Sequence, residues 1–591
     1  MDNMIWTLSA LSDFFQNTGT SAGAWMGKAQ FASVYGAILR YAFPVLAVII
    51  LGRCAKSLLT FRKEPEIWAW LALPSGDRLP VTHWENTIGR GRNCDLLVEY
   101  PTISRSHAVL TRYDDGSWTI GDVGSKGGVE VNGKPVEICA VQFGDAISLG
   151  GVEFHLVPIT KEQESLQAAS RTRAGREIKP SVSLLYLTLF QILTTLQLLF
   201  HVENEAVTSV AFAFLGLLVI EWALFWTMRA FRRTGYEVEI IAFFLTTLGL
   251  AVIASSNPSE LKKQLLCVVL GILAFLAVGW ALRDLERAKK IRYLATAAGL
   301  GLLLLNLVFG TEQYGAKNWI YIGGMSFQPS ELVKICFIFA GASAMDRLVA
   351  KRNLFLFIVY SGVICGCLAL MNDFGTALVF FVAFLVIAYL RSGDFATLSL
   401  ICAGTGFAGV IAMRFRPYIK RRFSAWGHIW EDPLGTGFQQ TRAMMCLASG
   451  GLFGLGAGCG WLKYVAAADT DLVFAFVAEE WGLFIAVLMV LAIVCLCIFV
   501  VRSAPVGRSS FYTIGACAAV SILMIQTMLN VFGTLDFLPL TGVTFPFVSN
   551  GGSSMISAWG LLAFIKACDT RQNASFAIRL STKPREEAEE S

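Results

Sequence analysis

The chain has 591 residues, 55% of them hydrophobic and only 15% charged, with a mean hydropathy of +0.59. A soluble globular protein of this length needs far more charge on its surface, so that class is excluded; apolar blocks of about 20 residues match the helical length that crosses a bilayer. The net charge of +5 says little by itself, and fourteen cysteines, mostly in apolar stretches and without a CxxC pair, read as packing residues rather than a disulfide framework or zinc site.

Residues 1–30 mix polar and apolar types, unlike a cleavable signal peptide. A first span is expected over Phe31–Gly52, with Arg40 inside it snorkelling or pairing with a neighbouring helix. Arg53, Lys56, Arg62 and Lys63 follow, which puts this end in the cytoplasm and the N-terminus outside. Over 61–160 charges and glycines return. Short alternating runs (Trp68–Leu73, Leu96–Glu99, Ala108–Tyr113, Trp118–Asp122, Gly128–Asn132, Val152–Val157) separated by Asp115-Gly116 and Asn132-Gly133 turns predict a small all-β sandwich on the cytoplasmic side. A basic linker at 161–180 leads back to the membrane.

Twelve further apolar segments begin near residues 182, 206, 236, 263, 291, 329, 353, 374, 397, 473, 511 and 548, giving about 13 transmembrane helices in all. Alternate threading places the basic loops at 229–233, 283–292, 347–352, 391 and 502–508 inside, together with the tail at 571–591. One loop breaks the pattern. Residues 414–472 fall outside yet open with Arg414, Arg416, Lys420, Arg421 and Arg422, a cluster suited to an anionic lipid headgroup or simply an ordinary basic loop.

Polar residues at membrane depth are candidates for function. Glu331 and Lys334, at i,i+3, pair on one helix face; Asn372-Asp373 sits at an outer edge; Gln526 and Asn530 share a face. The stretch 435–482 is glycine-rich and contains Asp471 ahead of an apolar segment. Taken alone, Asp471 reads first as a helix cap or dipole partner and second as a general base whose pKa desolvation would raise.

Two resemblances add to this. Gly89-Arg90, Ser104-Arg105-Ser106-His107, Asp122 and Asn132-Gly133 together resemble a forkhead-associated (FHA) domain, a reader of phosphothreonine peptides. The resemblance gives phosphate contact to Arg90 and Ser104, helped by Arg105, with Asn132 among the peptide-binding residues and His107 structural. Gly127 stands where that family carries a peptide-gripping Asn, which leaves a degenerate protein-docking domain open as the other reading.

The membrane part resembles the SEDS (shape, elongation, division and sporulation) family, the FtsW/RodA/SpoVE type. The motifs are Gly315-Ala-Lys-Asn-Trp319, Gln328-Pro-Ser-Glu331-Leu-Val-Lys334, Asp373-Phe-Gly375-Thr376, Thr470-Asp471, Glu479-Glu480-Trp-Gly482, Leu538-Pro-Leu-Thr541-Gly542 and Pro546-Phe-Val-Ser549-Asn550-Gly551-Gly552-Ser553-Ser554. It implies a ten-helix core over 234–570, preceded by two extra helices at 181–233 and by the N-terminal region 1–60. It further implies a peptidoglycan glycosyltransferase that polymerises lipid II at the outer face of the cytoplasmic membrane, releasing undecaprenyl pyrophosphate.

In that reading Asp471 is the catalytic base, and Arg414, Arg416, Lys420, Arg421 and Arg422 neutralise the pyrophosphate. Glu331, Lys334, Gln439, Asp373, Ser549 and Ser553 line or organise the substrate site. The expected partners are a class B penicillin-binding transpeptidase and a phosphothreonine protein, with no nucleic acid; Mg or Mn could assist, though no ligand cluster stands in the sequence. Departures from the family are Asp469 for the usual His, Val465-Ala466 for Leu-Pro, and Asn550 for the usual Tyr. The first leaves open which of the two Asp acts. A signal from the FHA-like domain is expected to travel through the linker and the two extra helices. A lipid II flippase would need inverted repeats, and none is visible; a membrane-anchored phosphoprotein scaffold would need neither Asp471 nor the glycine-rich loop.

Overall fold

The computed structural model describes residues 28–576 apart from 61–64, 92–93, 114–115, 167–177, 203–204, 232, 234, 314, 323, 344–349, 393–394, 416–421 and 572–573. Helix α1 (Lys28–Leu59) precedes eleven strands: β1 (Ala69–Ala72), β2 (Arg78–Val81), β3 (Glu85–Gly89), β4 (Leu96–Leu97), β5 (Ala108–Arg112), β6 (Trp118–Asp122), β7 (Val129–Val131), β8 (Lys134–Pro135), β9 (Ile138–Val141), β10 (Ala146–Leu149) and β11 (Val152–Pro158). They form two sheets, ordered β2-β1-β11-β10-β7-β8 and β4-β3-β5-β6-β9. Leu71, Ile88, Leu110, Ile120, Ile147 and Phe154, drawn from both sheets, are fully buried in one apolar cluster. Each stabilises the sandwich by about 1.5–3 kcal/mol.

Alternation finds six of these runs and misses β2, β3, β8, β9 and β10. Strand β3 reads as polar because Glu85 and Asn86 are buried in it, with the Asn86 amide bonded to the backbone of His83. The Asn132-Gly133 turn behaves as its sequence predicts, with positive φ at both residues (52° and 75°) closing the β7–β8 hairpin.

The rest is helical: α2 (Pro180–His201), α3 (Val207–Ala230), α4 (Glu237–Ser256), α5 (Leu261–Leu282) and α6 (Leu285–Phe309); then a small three-stranded sheet, β12 (Thr311–Gln313), β13 (Ala316–Ile322) and β14 (Met325–Phe327); then α7 (Pro329–Ser343), α8 (Ala350–Leu370), α9 (Phe374–Ser392), α10 (Phe395–Phe415), α11 (Phe438–Gly450), α12 (Val473–Trp481), α13 (Leu483–Ser503), α14 (Ser510–Thr534) and α15 (Gly552–Cys568). Eight of the described helices are long and apolar enough to cross a membrane, and four shorter apolar helical stretches accompany them.

One expected span is corrected. The segment beginning near 473 is a nine-residue helix, α12, which Gly482 ends with a φ of 91°; the long apolar helix is α13. Only glycine takes that backbone conformation cheaply. The last segment likewise begins at Gly552 rather than near 548.

Polar side chains fasten the two extra helices to the core, as they do between helices in lipid. The Gln191 amide on α2 donates to Glu221 on α3 (2.7 Å) and to the Thr247 hydroxyl on α4 (3.0 Å). Arg40, on α1, donates to the carbonyl of Leu455 in the glycine-rich loop (2.6 Å).

The β-sandwich rests directly on the loop between α13 and α14. The Trp84 amide donates to the Arg508 carbonyl (2.6 Å), His83 Nδ1 lies 2.6 Å from the Gly507 carbonyl, and the Arg508 guanidinium pairs with Glu66 (2.9 Å). This contact bypasses the linker and the extra helices. Helix α14 has 25 residues, so its ends stand about 37 Å apart, more than a hydrocarbon core.

Candidate active site

At the end of α14 away from the β-sandwich lies a cavity of about 640 Å³. Among the described residues, Asp373, Arg422 and Asp471 are its charged lining, and Asn318, Gln328, Thr376, Thr470, Asn550, Trp319 and Trp426 are among its polar and aromatic residues. An apolar groove of about 340 Å³, bounded by Ile358, Phe381, Phe384 and Ile401, adjoins it, and Leu378 lines both.

Asp471 belongs to a tight turn. Its amide and that of Thr470 both donate to the Ala467 carbonyl, and Ala467 itself takes a left-handed φ of 59°. Backbone strain of this kind at a non-glycine residue costs on the order of 1–3 kcal/mol and persists only where the surroundings hold it. Here three successive carbonyls are caught. Asp469 O accepts from the Asn550 amide (2.8 Å), Thr470 O from the Ser549 hydroxyl (2.6 Å), and Asp471 O from the Asn530 side chain (3.1 Å). Burial pushes the Asp471 carboxyl up from 3.8 to about 6; the Thr470 hydroxyl and Arg422 offset part of that rise, and Asp469 adds to it.

The neighbouring carboxylate is occupied. Asp469 Oδ2 accepts from Asn550 Nδ2 (2.9 Å) and from the Ser256 hydroxyl (3.3 Å), and Asp469 is not among the cavity-lining residues. Two of the three departures from the family pattern, Asp469 and Asn550, are therefore in contact with each other.

The other candidates fall in different places. Asp373 lines the cavity and caps α9 through the Thr376 amide (3.1 Å), while Asn318 (3.0 Å) and Gln328 (3.3 Å) donate to its other oxygen. Arg422 lines the cavity. Arg414 is in α10, its side chain outside the described residues, as are Arg416, Lys420 and Arg421 altogether. Glu331 and Lys334 form a buried ion pair at 2.6 Å, away from the cavity lining. Gln439 is half-buried and ties α11 to the Ala466 carbonyl (2.9 Å). Ser549 is buried beneath the Asp471 turn, and buried Ser553 accepts from the Gln328 amide (3.3 Å).

Glu479 and Glu480 have a role the sequence pattern did not reveal. Glu479 accepts from the amides of Trp461 (2.8 Å) and Leu462 (2.9 Å), and Glu480 from those of Gly458 (3.0 Å) and Gly460 (3.4 Å). These buried carboxylates shape the glycine-rich loop that precedes the Asp471 turn. Ser256 also escaped notice, since a serine closing an apolar helix carries no signal. Among the described residues, no group of three or more His, Cys, Asp and Glu side chains is placed to hold a metal ion.

In the β-sandwich, Arg90 and Arg105 are exposed and their loops are laced together, the Arg90 amide on the Ser104 carbonyl (3.2 Å) and the Gly91 amide on that of Arg105 (2.9 Å). The Ser104 hydroxyl accepts from the Lys126 amide (3.1 Å). His107 braces this loop, accepting from the Ser104 amide at Nδ1 (3.0 Å) and meeting the Gly128 carbonyl through Nε2 (2.9 Å). The Asn132 side chain reaches the start of β10, bonding Asp145 and the Ala146 amide at 3.0 Å each. A Cβ at Gly127 would lie 2.7 Å from Gly150 Cα, so the backbone here has no room for the Asn it replaces.

The fold and site define a multi-pass helical membrane protein with a β-sandwich at one end of its bundle and a carboxylate–arginine cavity at the other. The family model of the FtsW, RodA and SpoVE cell cycle proteins matches residues 239–574, and the chain belongs to that family. The FHA domain model matches residues 86–150. The chain is similar to peptidoglycan glycosyltransferase RodA of Mycobacterium tuberculosis, 33% identical over 52% of this chain and 70% of the relative. It is also similar to the probable peptidoglycan glycosyltransferase FtsW of Tolumonas auensis, 32% identical over 57% of this chain and 93% of the relative. Stage V sporulation protein E of Bacillus subtilis is 30% identical over 55% of this chain and 94% of its own length. Among solved structures, a chain of a peptidoglycan synthase complex covers 56% of this chain and 96% of itself, at 26% identity and a TM-score of 0.49.

Proposed function

We propose that this protein is a peptidoglycan glycosyltransferase that joins lipid II units at the outer face of the cytoplasmic membrane, with Asp471 as general base. The observation that carries the reading is one cavity holding a carboxyl raised to about 6 and an arginine, beside an apolar groove. The Asp471 carboxylate takes the proton of the acceptor sugar hydroxyl as that oxygen bonds to the donor's anomeric carbon. The bond from that carbon to the pyrophosphate breaks, the electron pair leaves with undecaprenyl pyrophosphate, and Arg422 stabilises the departing charge. The groove beside Leu378 suits the polyprenyl chain.

The FHA domain stands on the cytoplasmic side in this reading and regulates the enzyme by binding a phosphothreonine segment at Arg90, Ser104 and Arg105. Its seat on Gly507 and Arg508 gives the signal a path along α14 to Asn530, which holds Asp471. A class B penicillin-binding transpeptidase is the expected working partner.

The test is lipid II polymerisation by the purified protein together with its transpeptidase, run beside lipid II scrambling in vesicles. Glycan strands without scrambling are the expected result. Scrambling without strands would replace the polymerase by a flippase.

A further inference from the structure

We infer that Asp469 and Asn550 are positioning residues, a latch that fixes the strained turn at 467–471 and so aims the Asp471 carboxylate into the cavity; this rests on Asp471 being the base. The turn leaves its low-energy path at Ala467, where φ is 59°, and must be held from outside. Asn550 holds it at two points, its amide on the Asp469 carbonyl (2.8 Å) and its side chain on Asp469 Oδ2 (2.9 Å). Ser256, at the end of α4, donates to the same oxygen (3.3 Å) and ties the latch to a helix with 18 of its 20 residues buried. Asp469 is thereby an acceptor for two donors and stands outside the cavity lining, whereas Asn550 and Asp471 both line it.

The latch also has an electrostatic consequence. Among the described residues, the charged side chains on the cavity around Asp471 are Asp373 and Arg422, and Asp469 lies two residues away; Arg422 pulls the Asp471 pKa down and Asp469 pushes it up. A positioning residue that carries charge must therefore move both the rate and the pH at which the rate rises.

The experiment compares lipid II polymerisation by wild type, Asp469→Ala, Asn550→Ala, the double Ala variant, Asp469→Asn and the exchange Asp469→Asn/Asn550→Asp, each checked for its melting temperature. Displacing a base by about 1 Å costs on the order of 100-fold, so each Ala variant should lose 10- to 100-fold in kcat with KM little changed. The double variant should be no worse than the poorer single one, because the two side chains act as one unit. Asp469→Asn should shift the acid limb of the pH profile to lower pH, and the exchange, which keeps one side-chain hydrogen bond with its direction reversed, should recover most of the rate. Multiplying losses in the double variant, or kcat unchanged in both single Ala variants, would overturn the latch. Polymerisation that survives Asp471→Asn would instead sink the assignment of the base, and coupling between 469 and 550 would be read separately.

Discussion

Asp471 gains its distinction from desolvation, and that predicts a pH dependence. A base must be unprotonated to act, so with a pKa of about 6 the polymerisation rate should climb tenfold per pH unit below 6 and level off above it. A profile of kcat/KM from pH 4.5 to 8 checks this. Arg422→Ala should lower kcat by 10- to 1000-fold, and Arg422→Lys should restore part of it, since charge on the leaving pyrophosphate matters more than fork geometry. In the sequence Asp471 and Asp373 are picked out by the family motifs rather than by themselves, since Asp471 alone reads first as a helix cap, and of the basic run only Arg422 has a described side chain on the cavity. What holds the site was not legible there. Asn530 and Ser549 stood out as polar residues, but their bonds to the carbonyls of the Asp471 turn, like that of Ser256 to Asp469, join residues far apart in the chain and leave no periodicity or charge pattern to read.

At the scale of elements, buried charge pairs decide which helices stay together. Lys566 on α15 and Glu239 on α4 are both fully buried at 2.8 Å, and Lys566 also donates to the Gly235 carbonyl (2.6 Å). Lys566→Met leaves Glu239 without its cation and should cost about 3–5 kcal/mol, seen as a lower melting temperature in detergent; Lys566→Met with Glu239→Leu should recover most of the loss. The long helices were readable from length and hydropathy alone. Helix α12 was not, because its residues continue seamlessly in hydropathy into α13. The break depends on the backbone of Gly482 and on Glu479 and Glu480 finding amide donors in a loop some 20 residues earlier.

Over the whole molecule, one 25-residue helix connects the regulatory domain to the catalytic turn. Strand β3 runs from beside Trp84, which bonds Arg508, to Gly89 beside Arg90, so the proposed phosphopeptide site and the seat on the helical part lie at the two ends of one strand. A phosphothreonine peptide should bind the full-length protein and change its polymerisation rate. Arg90→Ala should abolish binding, whereas Arg508→Ala should leave binding intact and remove the rate response. Titration of peptide with paired activity measurements separates these, and a rate response that survives Arg508→Ala would reject the α14 route. The domain seat itself could not be read from sequence, since it joins side chains and backbone groups more than 400 residues apart.

In the proposed function this cavity makes glycan bonds and Asp471 does the proton transfer. The most direct test is gel analysis of lipid II products from wild type and Asp471→Asn, both purified with their transpeptidase and both folded by melting temperature. Long glycan strands from wild type and none from Asp471→Asn are expected. Strands of equal yield from Asp471→Asn would contradict the account.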